Sequence, residues 1–149
     1  MISHSKPAPA LCWARGVLRP VTEFRPHVGD RAFRYGDGVF ATMALERGHL
    51  LDAAAHASRL LASADAMGLS VPEAVRSPGR LCEILALLGA SGSTDGVVRV
   101  QVSAESGGRG YGRGGDGSWE LVEIHPLPAP RVLTVAILEP DDAPVPALP

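Results

Sequence analysis

Apolar and polar positions alternate in the first third of the chain, in a pattern typical of β-hairpins. Residues 10–13 and 17–18 flank an Arg-Gly pair and predict a short hairpin. The apolar run over 39–45 predicts a further strand. A turn at 46–48 is predicted to join it to a returning strand over 49–51. This part of the chain is therefore predicted to supply antiparallel strands.

The middle of the chain changes to helical spacing. Asp52 is a preferred N-cap residue, and apolar side chains recur at helical intervals from there to Met67. A second helix is predicted over residues 80–88. It follows a helical turn over 72–77 that Pro78 interrupts.

Strand-like alternation then returns over residues 97–103, 119–124 and 132–138. A glycine-rich stretch over 107–117 separates the first two of these strands. Strands first, two helices in the middle and strands again predict an α+β domain, built as a two-layer sandwich of helices on a sheet.

Length and charge limit what this domain can be. The 149 residues suffice for one domain, which we expect over residues 10–139, between a disordered leader over 1–9 and a proline-rich linker or tail over 140–149. A net charge of −2 argues against nucleic-acid and membrane-surface partners. No apolar run approaches the roughly 18 residues of a membrane span.

The cysteines and histidines predict neither a disulfide framework nor a metal site. Cys12 and Cys82 stand alone, and the five histidines lack metal-ligand spacing. Residues 1–10 also lack the apolar core of a secretory signal. A reducing, cytoplasmic location is therefore expected.

The densest motif is the sequence DRAFRYGDGVF over residues 30–40. Two glycines flank an aspartate, which predicts a tight turn that starts a strand, and Tyr35 and Phe40 bracket this turn with aromatic surface. On spacing alone, a purely structural turn is the more common explanation.

A second signal lies on the first predicted helix. Asp52, His56, Arg59 and Ser63 recur at helical spacing and share one polar stripe. Arg59 has no acidic residue three or four positions away, so its guanidinium is a candidate for gripping a phosphate. A solvated surface arginine is the commoner alternative.

The third signal is the stretch SGGRGYGRGG over residues 106–115. Glycines allow backbone to approach a ligand closely, and Arg109 and Tyr111 are candidates for binding a carboxylate. A nucleic-acid-binding Arg-Gly segment and a mobile hairpin loop are the alternatives. The first is disfavoured because the stretch is short and the protein is acidic.

In this order, the three segments resemble the class IV (fold-type IV) pyridoxal-phosphate enzymes. This family includes branched-chain and D-amino-acid aminotransferases and 4-amino-4-deoxychorismate lyase. Residues 30–69 resemble its N-terminal signature, including a His-x-x-Arg-Leu motif at 56–60. Ser103 followed by Gly-Gly-Arg-Gly-Tyr over 107–111 is most similar to the lyase branch. The resemblance covers roughly residues 10–140.

The resemblance implies a role for each matching residue. Arg59 would hold the phosphate of pyridoxal 5'-phosphate, Tyr35 and Phe40 would line the substrate pocket, and Arg109 and Tyr111 would face the substrate carboxylate. It further implies a homodimer acting on an amino-acid-like or chorismate-derived small molecule.

The sequence departs from the family pattern at two places. Ala41 stands where many relatives have glutamate, and Ala104-Glu105 stands where the lyase branch usually has Arg-Gly. The second departure keeps the aminotransferases open as an alternative to the lyase.

The family's Schiff-base lysine has no counterpart here. Of the 14 basic residues 13 are arginine, and the single lysine, Lys6, matches no motif. We therefore assign no catalytic residue and expect the N-terminal domain of such an enzyme, inactive by itself and without covalent cofactor attachment. The alternatives are a class IV aminotransferase and a non-catalytic binding or dimerisation domain.

Overall fold

A computed structural model describes residues 10–89, 94–105, 107, 110, 112–115 and 117–127 of the chain. The strands are β1 Leu11–Ala14, β2 Val17–Pro20, β3 Gly38–Glu46, β4 His49–Leu50, β5 Gly96–Ala104 and β6 Ser118–His125. The helices are α1 Arg31–Tyr35, α2 Ala53–Ala66, α3 Glu73–Arg76 and α4 Pro78–Gly89, with a 3-10 turn at Val21–Glu23. The strands form one antiparallel sheet in the order β2-β1-β6-β5-β3-β4.

Both predicted hairpins are confirmed, and each closes on a two-residue turn. Arg15 and Gly16 have φ values of 53° and 74°, and Arg47 and Gly48 have 49° and 78°. Two consecutive positive φ angles match the twist of the flanking strands in hairpins. The second turn is shorter than predicted, because Glu46 still pairs with β4.

The two main helices are confirmed, with corrections at their starts. Asp52 occupies the N-cap position of α2, as predicted, but its φ is 50° and its side chain makes no capping hydrogen bond. Pro78 begins α4 instead of only interrupting the preceding turn, since proline is favoured in the first turn of a helix. The short helix α1 was not predicted.

The two faces of the sheet differ in composition. Alternate residues of β3 and β5 point to the helices and form the core with α2 and α4: Ala41, Met43, Leu45, Val98, Val100, Val102, Leu60, Ala64, Ile84 and Leu88. The intervening positions, among them Phe40, Arg99 and Gln101, lie on the opposite face. The mixed helix and antiparallel sheet architecture confirms the predicted fold class.

Several predictions lie outside the described residues. These are the leader over 1–9 with Lys6, the strand over 132–138 and the linker or tail over 140–149.

Candidate functional site

Asp30 fixes the start of α1 and joins this helix to the sheet. Its Oδ1 accepts a hydrogen bond of 2.9 Å from the Phe33 N–H, and its Oδ2 accepts one of 3.0 Å from Trp119 Nε1. The first is the bond that an N-cap aspartate provides. Asp30 thereby sets the position of α1, and hence of Tyr35 at its end, relative to β6.

Two glycines then turn the chain from α1 into β3, each for a different reason. Gly36 ends the helix in the left-handed conformation, with φ 67°, which favours glycine. Gly38 lies so close to β5 that an added Cβ would stand 2.9 Å from the carbonyl oxygen of Val102. The predicted tight turn is confirmed, and its tightness brings Asp37 against the neighbouring strand.

Phe40 lies beyond this turn, on the face of the sheet opposite the helices. The residue is 58% exposed, and the guanidinium of Arg99 lies 4.1 Å from the centroid of its ring. Both side chains line a cavity of about 260 Å³ together with Gly38 and Gln101. An aromatic surface next to a cation suits a flat anionic ligand.

Arg99 begins a polar row along β5 that sequence reasoning missed. Its Nη2 donates to Gln101 Oε1 at 3.2 Å, and Gln101 Nε2 donates to Ser103 Oγ at 2.9 Å. The three residues alternate along one strand, and that spacing was the available signal. The sequence contains no signal that Phe40, opposite Gln101 on the neighbouring strand, contacts Arg99.

Tyr35 lines a second cavity, of about 350 Å³, on the other side of the turn. The other lining residues are Arg31, Asp37, Met67 and Arg113. The structure therefore places the predicted residues Tyr35 and Phe40 in two neighbouring cavities around one turn, and not in a single cavity.

Two arginines converge on the buried carboxylate of Asp37 in this second cavity. Arg31 Nε lies 2.7 Å from Asp37 Oδ2, and Arg113 donates through Nε to the same oxygen at 2.9 Å and through Nη2 to Oδ1. The hydrogen bond from Arg113 lowers the pKa of Asp37 most, burial opposes it, and Arg31 adds to the lowering. This arrangement was not predicted.

The glycine-rich stretch is held by the same arginines in its described part. Arg31 Nη1 donates to the carbonyl oxygens of Gly107, Gly110 and Gly112 at 3.5, 3.2 and 3.2 Å. The Gly110 N–H donates to Tyr35 Oη at 3.4 Å. The predicted substrate-facing residues Arg109 and Tyr111 lie outside the described residues.

Arg59 lies exposed on α2, apart from both cavities. Its Nη2 lies 3.0 Å from His56 Nδ1, the polar stripe partner one helical turn earlier. Within the part of the chain that the structure describes, no carboxylate forms an ion pair with this guanidinium. Such an arginine fits the phosphate of a cofactor by its chemistry.

A larger cavity, of about 530 Å³, lies elsewhere and contains none of the predicted site residues. Its lining is mostly apolar and includes Leu45, Leu50, Cys82 and Leu85.

In the described ranges, no three His, Cys, Asp or Glu residues are grouped to hold a metal ion. No helix in the described part of the chain is long and apolar enough to cross a membrane.

Comparisons with protein families and with curated proteins gave no match. Solved structures do match. The chain is similar to 4-amino-4-deoxychorismate lyase from Pseudomonas aeruginosa, with a TM-score of 0.64 and 30% identity over 81% of this chain and 42% of that one. It is similar to a hypothetical aminotransferase from Mycobacterium tuberculosis in its PLP-bound form, with a TM-score of 0.65 and 27% identity over 80% and 40%.

A third match, at lower identity, shows the same fold. The branched-chain amino acid aminotransferase of Escherichia coli has a TM-score of 0.69 and 19% identity over 80% of this chain and 40% of that one. The chain therefore spans about two fifths of the length of these structures, and the match lies in their N-terminal portion.

Proposed function

Because this chain has the fold of the N-terminal portion of the class IV aminotransferases and aminodeoxychorismate lyase, we propose that it forms the N-terminal half of a pyridoxal-phosphate-dependent enzyme. Its reaction is that of the lyase, which converts 4-amino-4-deoxychorismate to 4-aminobenzoate and pyruvate in folate biosynthesis. The lyase from Pseudomonas aeruginosa, at 30% identity, supports this choice within the fold.

The contact between Arg99 and Phe40 is the observation that carries the proposal. Both products of the lyase are carboxylates, and one of them is a flat aromatic ring. A half-buried guanidinium 4.1 Å from an exposed ring offers a charge for the carboxylate and an apolar face for the ring. The residues predicted to face the carboxylate, Arg109 and Tyr111, would add to this grip.

Arg59 is the residue proposed to hold the cofactor. Its exposed guanidinium, which has a histidine contact and no ion pair in the described part of the chain, would bind the phosphate. When bound, the cofactor ring stores the electron pair released from the substrate. Lys6 matches no family position, so we propose no covalent attachment through this chain and no activity of the chain by itself.

A class IV aminotransferase is the second candidate. The hypothetical aminotransferase of Mycobacterium tuberculosis supports it, with 27% identity and a TM-score of 0.65. Ala104-Glu105, where the lyase branch usually has Arg-Gly, also favours it. The two candidates share the cofactor and differ in the carboxylic acid that the site receives.

Ligand titrations of the ¹⁵N-labelled chain separate the candidates. We expect 4-aminobenzoate to shift the amide signals of Phe40, Gln101 and their neighbours more strongly than 4-methyl-2-oxopentanoate, a branched-chain 2-oxo acid. Arg99→Gln should weaken 4-aminobenzoate about tenfold, equivalent to about 1.4 kcal/mol, through loss of one charge-assisted contact.

Arg47→Gln, in the exposed turn of the second hairpin, is the matched control and should leave the affinity unchanged. Stronger binding of the 2-oxo acid at the same residues would favour the aminotransferase. If neither acid shifts these residues, or if Arg99→Gln binds as tightly as wild type, the proposed carboxylate site is wrong.

A further inference from the structure

We propose that Asp37 is a positioning residue, acting through Arg31 and Arg113, that holds three described glycines of the glycine-rich stretch against the turn carrying Tyr35; these are Gly107, Gly110 and Gly112. We call these three residues the Asp37 cluster. That the stretch contacts substrate rests on the function proposed above. That Asp37 fixes its conformation rests only on the contacts described below.

Asp37 joins two parts of the chain that are far apart in sequence. The residue is 8% exposed, and its carboxylate accepts hydrogen bonds from Arg31, six residues away, and from Arg113, 76 residues away. Its backbone carbonyl accepts a further bond of 3.0 Å from the Ala104 N–H at the end of β5. The residue therefore sits where the α1–β3 turn, β5 and the glycine-rich stretch meet.

Arg31 connects Asp37 to the backbone of the glycine-rich stretch through hydrogen bonds to both. Its guanidinium uses Nε for the carboxylate, while Nη1 reaches the carbonyls of Gly107, Gly110 and Gly112. Since Arg31 is only 3% exposed, its charge requires the carboxylate nearby. With Asp37 neutral, the guanidinium loses the partner that orients its planar fork towards these carbonyls.

Arg113 gives the cluster a second connection, from within the stretch itself. Besides its bonds to Asp37, its Nη1 donates to the carbonyl of Gly68 at 2.7 Å, just after α2. Its side chain is 27% exposed, so it lies at the rim of the cluster. Truncating Arg113 therefore disturbs the core less than changing Asp37 does.

The base of the stretch is fastened separately. The Glu105 N–H donates to the carbonyl of Gly117 at 2.8 Å, and the Glu105 carboxylate pairs with Arg15 in the first hairpin turn. Glu105 is one of the residues that depart from the lyase pattern. Loss of the Asp37 cluster should therefore loosen the middle of the stretch while its base stays in place.

Backbone ¹⁵N relaxation of the full 149-residue chain tests this role. We expect order parameters of about 0.85 at Gly107, Gly110 and Gly112 in the wild type, falling below about 0.6 in Asp37→Asn. Arg113→Gln should give a smaller decrease, and it is the variant to rely on if Asp37→Asn does not fold.

Two controls separate this role from general destabilisation. Arg80→Gln removes the surface pair with Glu83 and should leave the glycine order parameters unchanged. Gly48, in the second hairpin turn, should keep its order parameter in every variant. Wild-type values below about 0.6, or values that Arg113→Gln leaves unchanged, would overturn the proposal.

The pH dependence of the glycine order parameters provides a readout that loss of packing would not produce. Arg31, Arg113 and Tyr35 line the cavity with Asp37, and the bond from Arg113 above all lowers the pKa of Asp37. A carboxylate with a lowered pKa keeps its ion pairs until the pH falls below the ordinary pKa of an aspartate, 3.8. In the wild type we therefore expect the order parameters of Gly107, Gly110 and Gly112 to stay high down to pH 4 and to fall only below it. In Asp37→Asn, which has no carboxylate at this position, they should show no such pH-dependent transition. Loss of rigidity well above pH 4 would count against the proposal.

Failure of this proposal and failure of the proposed function look different. Loss of rigidity in Arg113→Gln, with no binding of 4-aminobenzoate, would support the Asp37 cluster and reject the ligand. Binding that depends on Arg99, with unchanged glycine order parameters in Arg113→Gln, would support the ligand and reject the positioning role.

Discussion

The partner of each arginine determines which of them are available for a ligand. Arg31 and Arg113 face the carboxylate of Asp37, whereas Arg59 contacts a histidine and Arg99 an aromatic ring and an amide. The sequence predicted Arg59 because its local helix positions lack an acid. Arg99 was missed because its contact with Phe40 is made between neighbouring strands, and that pairing is not readable from local spacing.

The two cysteines provide a prediction at the same scale. Cys12 is fully buried in β1, and burial and the nearby Glu123 raise its pKa while Arg19 lowers it; Cys82 is exposed. A thiol reagent should therefore modify Cys82 readily and Cys12 roughly 100-fold more slowly, because reaction at Cys12 requires the sheet to open. Mass spectrometry of the labelled chain measures both rates. Fast labelling of Cys12 in the Cys82→Ser variant would contradict the burial of Cys12.

Regular elements were predictable where their pattern is long or their turns are distinctive. The hairpin turns at Arg15-Gly16 and Arg47-Gly48 and the helix α2 followed from residue type and spacing. The helix α1 was missed because five residues are too few to show helical periodicity, although Asp30 and Gly36 are typical residues for its two ends. The Asp37 cluster depends on α1, so it was missed as well.

Gly38 provides a prediction at the scale of the α1–β3 turn. An added Cβ would lie 2.9 Å from the Val102 carbonyl oxygen and 3.1 Å from Ala32 Cβ, so the turn and β5 would have to move apart. Gly38→Ala should lower the free energy of unfolding by about 1–3 kcal/mol in urea denaturation. Gly79→Ala is the matched control: apart from the chain neighbours of Gly79 and the backbone of its own helix, no atom lies within 4 Å of the Cβ position, and alanine favours the helix. Equal stability of the two variants would show that the close approach at Gly38 is absent.

For the whole molecule, the class of the fold was predictable and the order of its strands was not. β1 pairs with β6, more than 100 residues away in sequence, and the local pattern of neither strand identifies its pairing partner. The resulting sheet carries its helices on one face and places Phe40 and Arg99 on the other. Since the chain spans about two fifths of the length of its structural neighbours, the homodimer that the family resemblance implies stays a prediction.

Whether Arg59 forms a phosphate site decides between the proposed cofactor-binding arginine and a solvated surface arginine. The chain is treated with an arginine-modifying reagent, with and without pyridoxal 5'-phosphate or inorganic phosphate, and modification is measured residue by residue by mass spectrometry. Arg76 is the internal control, since it is also helical and exposed and lies near Glu73 and the Val71 carbonyl. We expect both ligands to slow modification of Arg59 severalfold and to leave Arg76 unaffected. Equal modification of the two arginines with and without ligand would contradict this expectation.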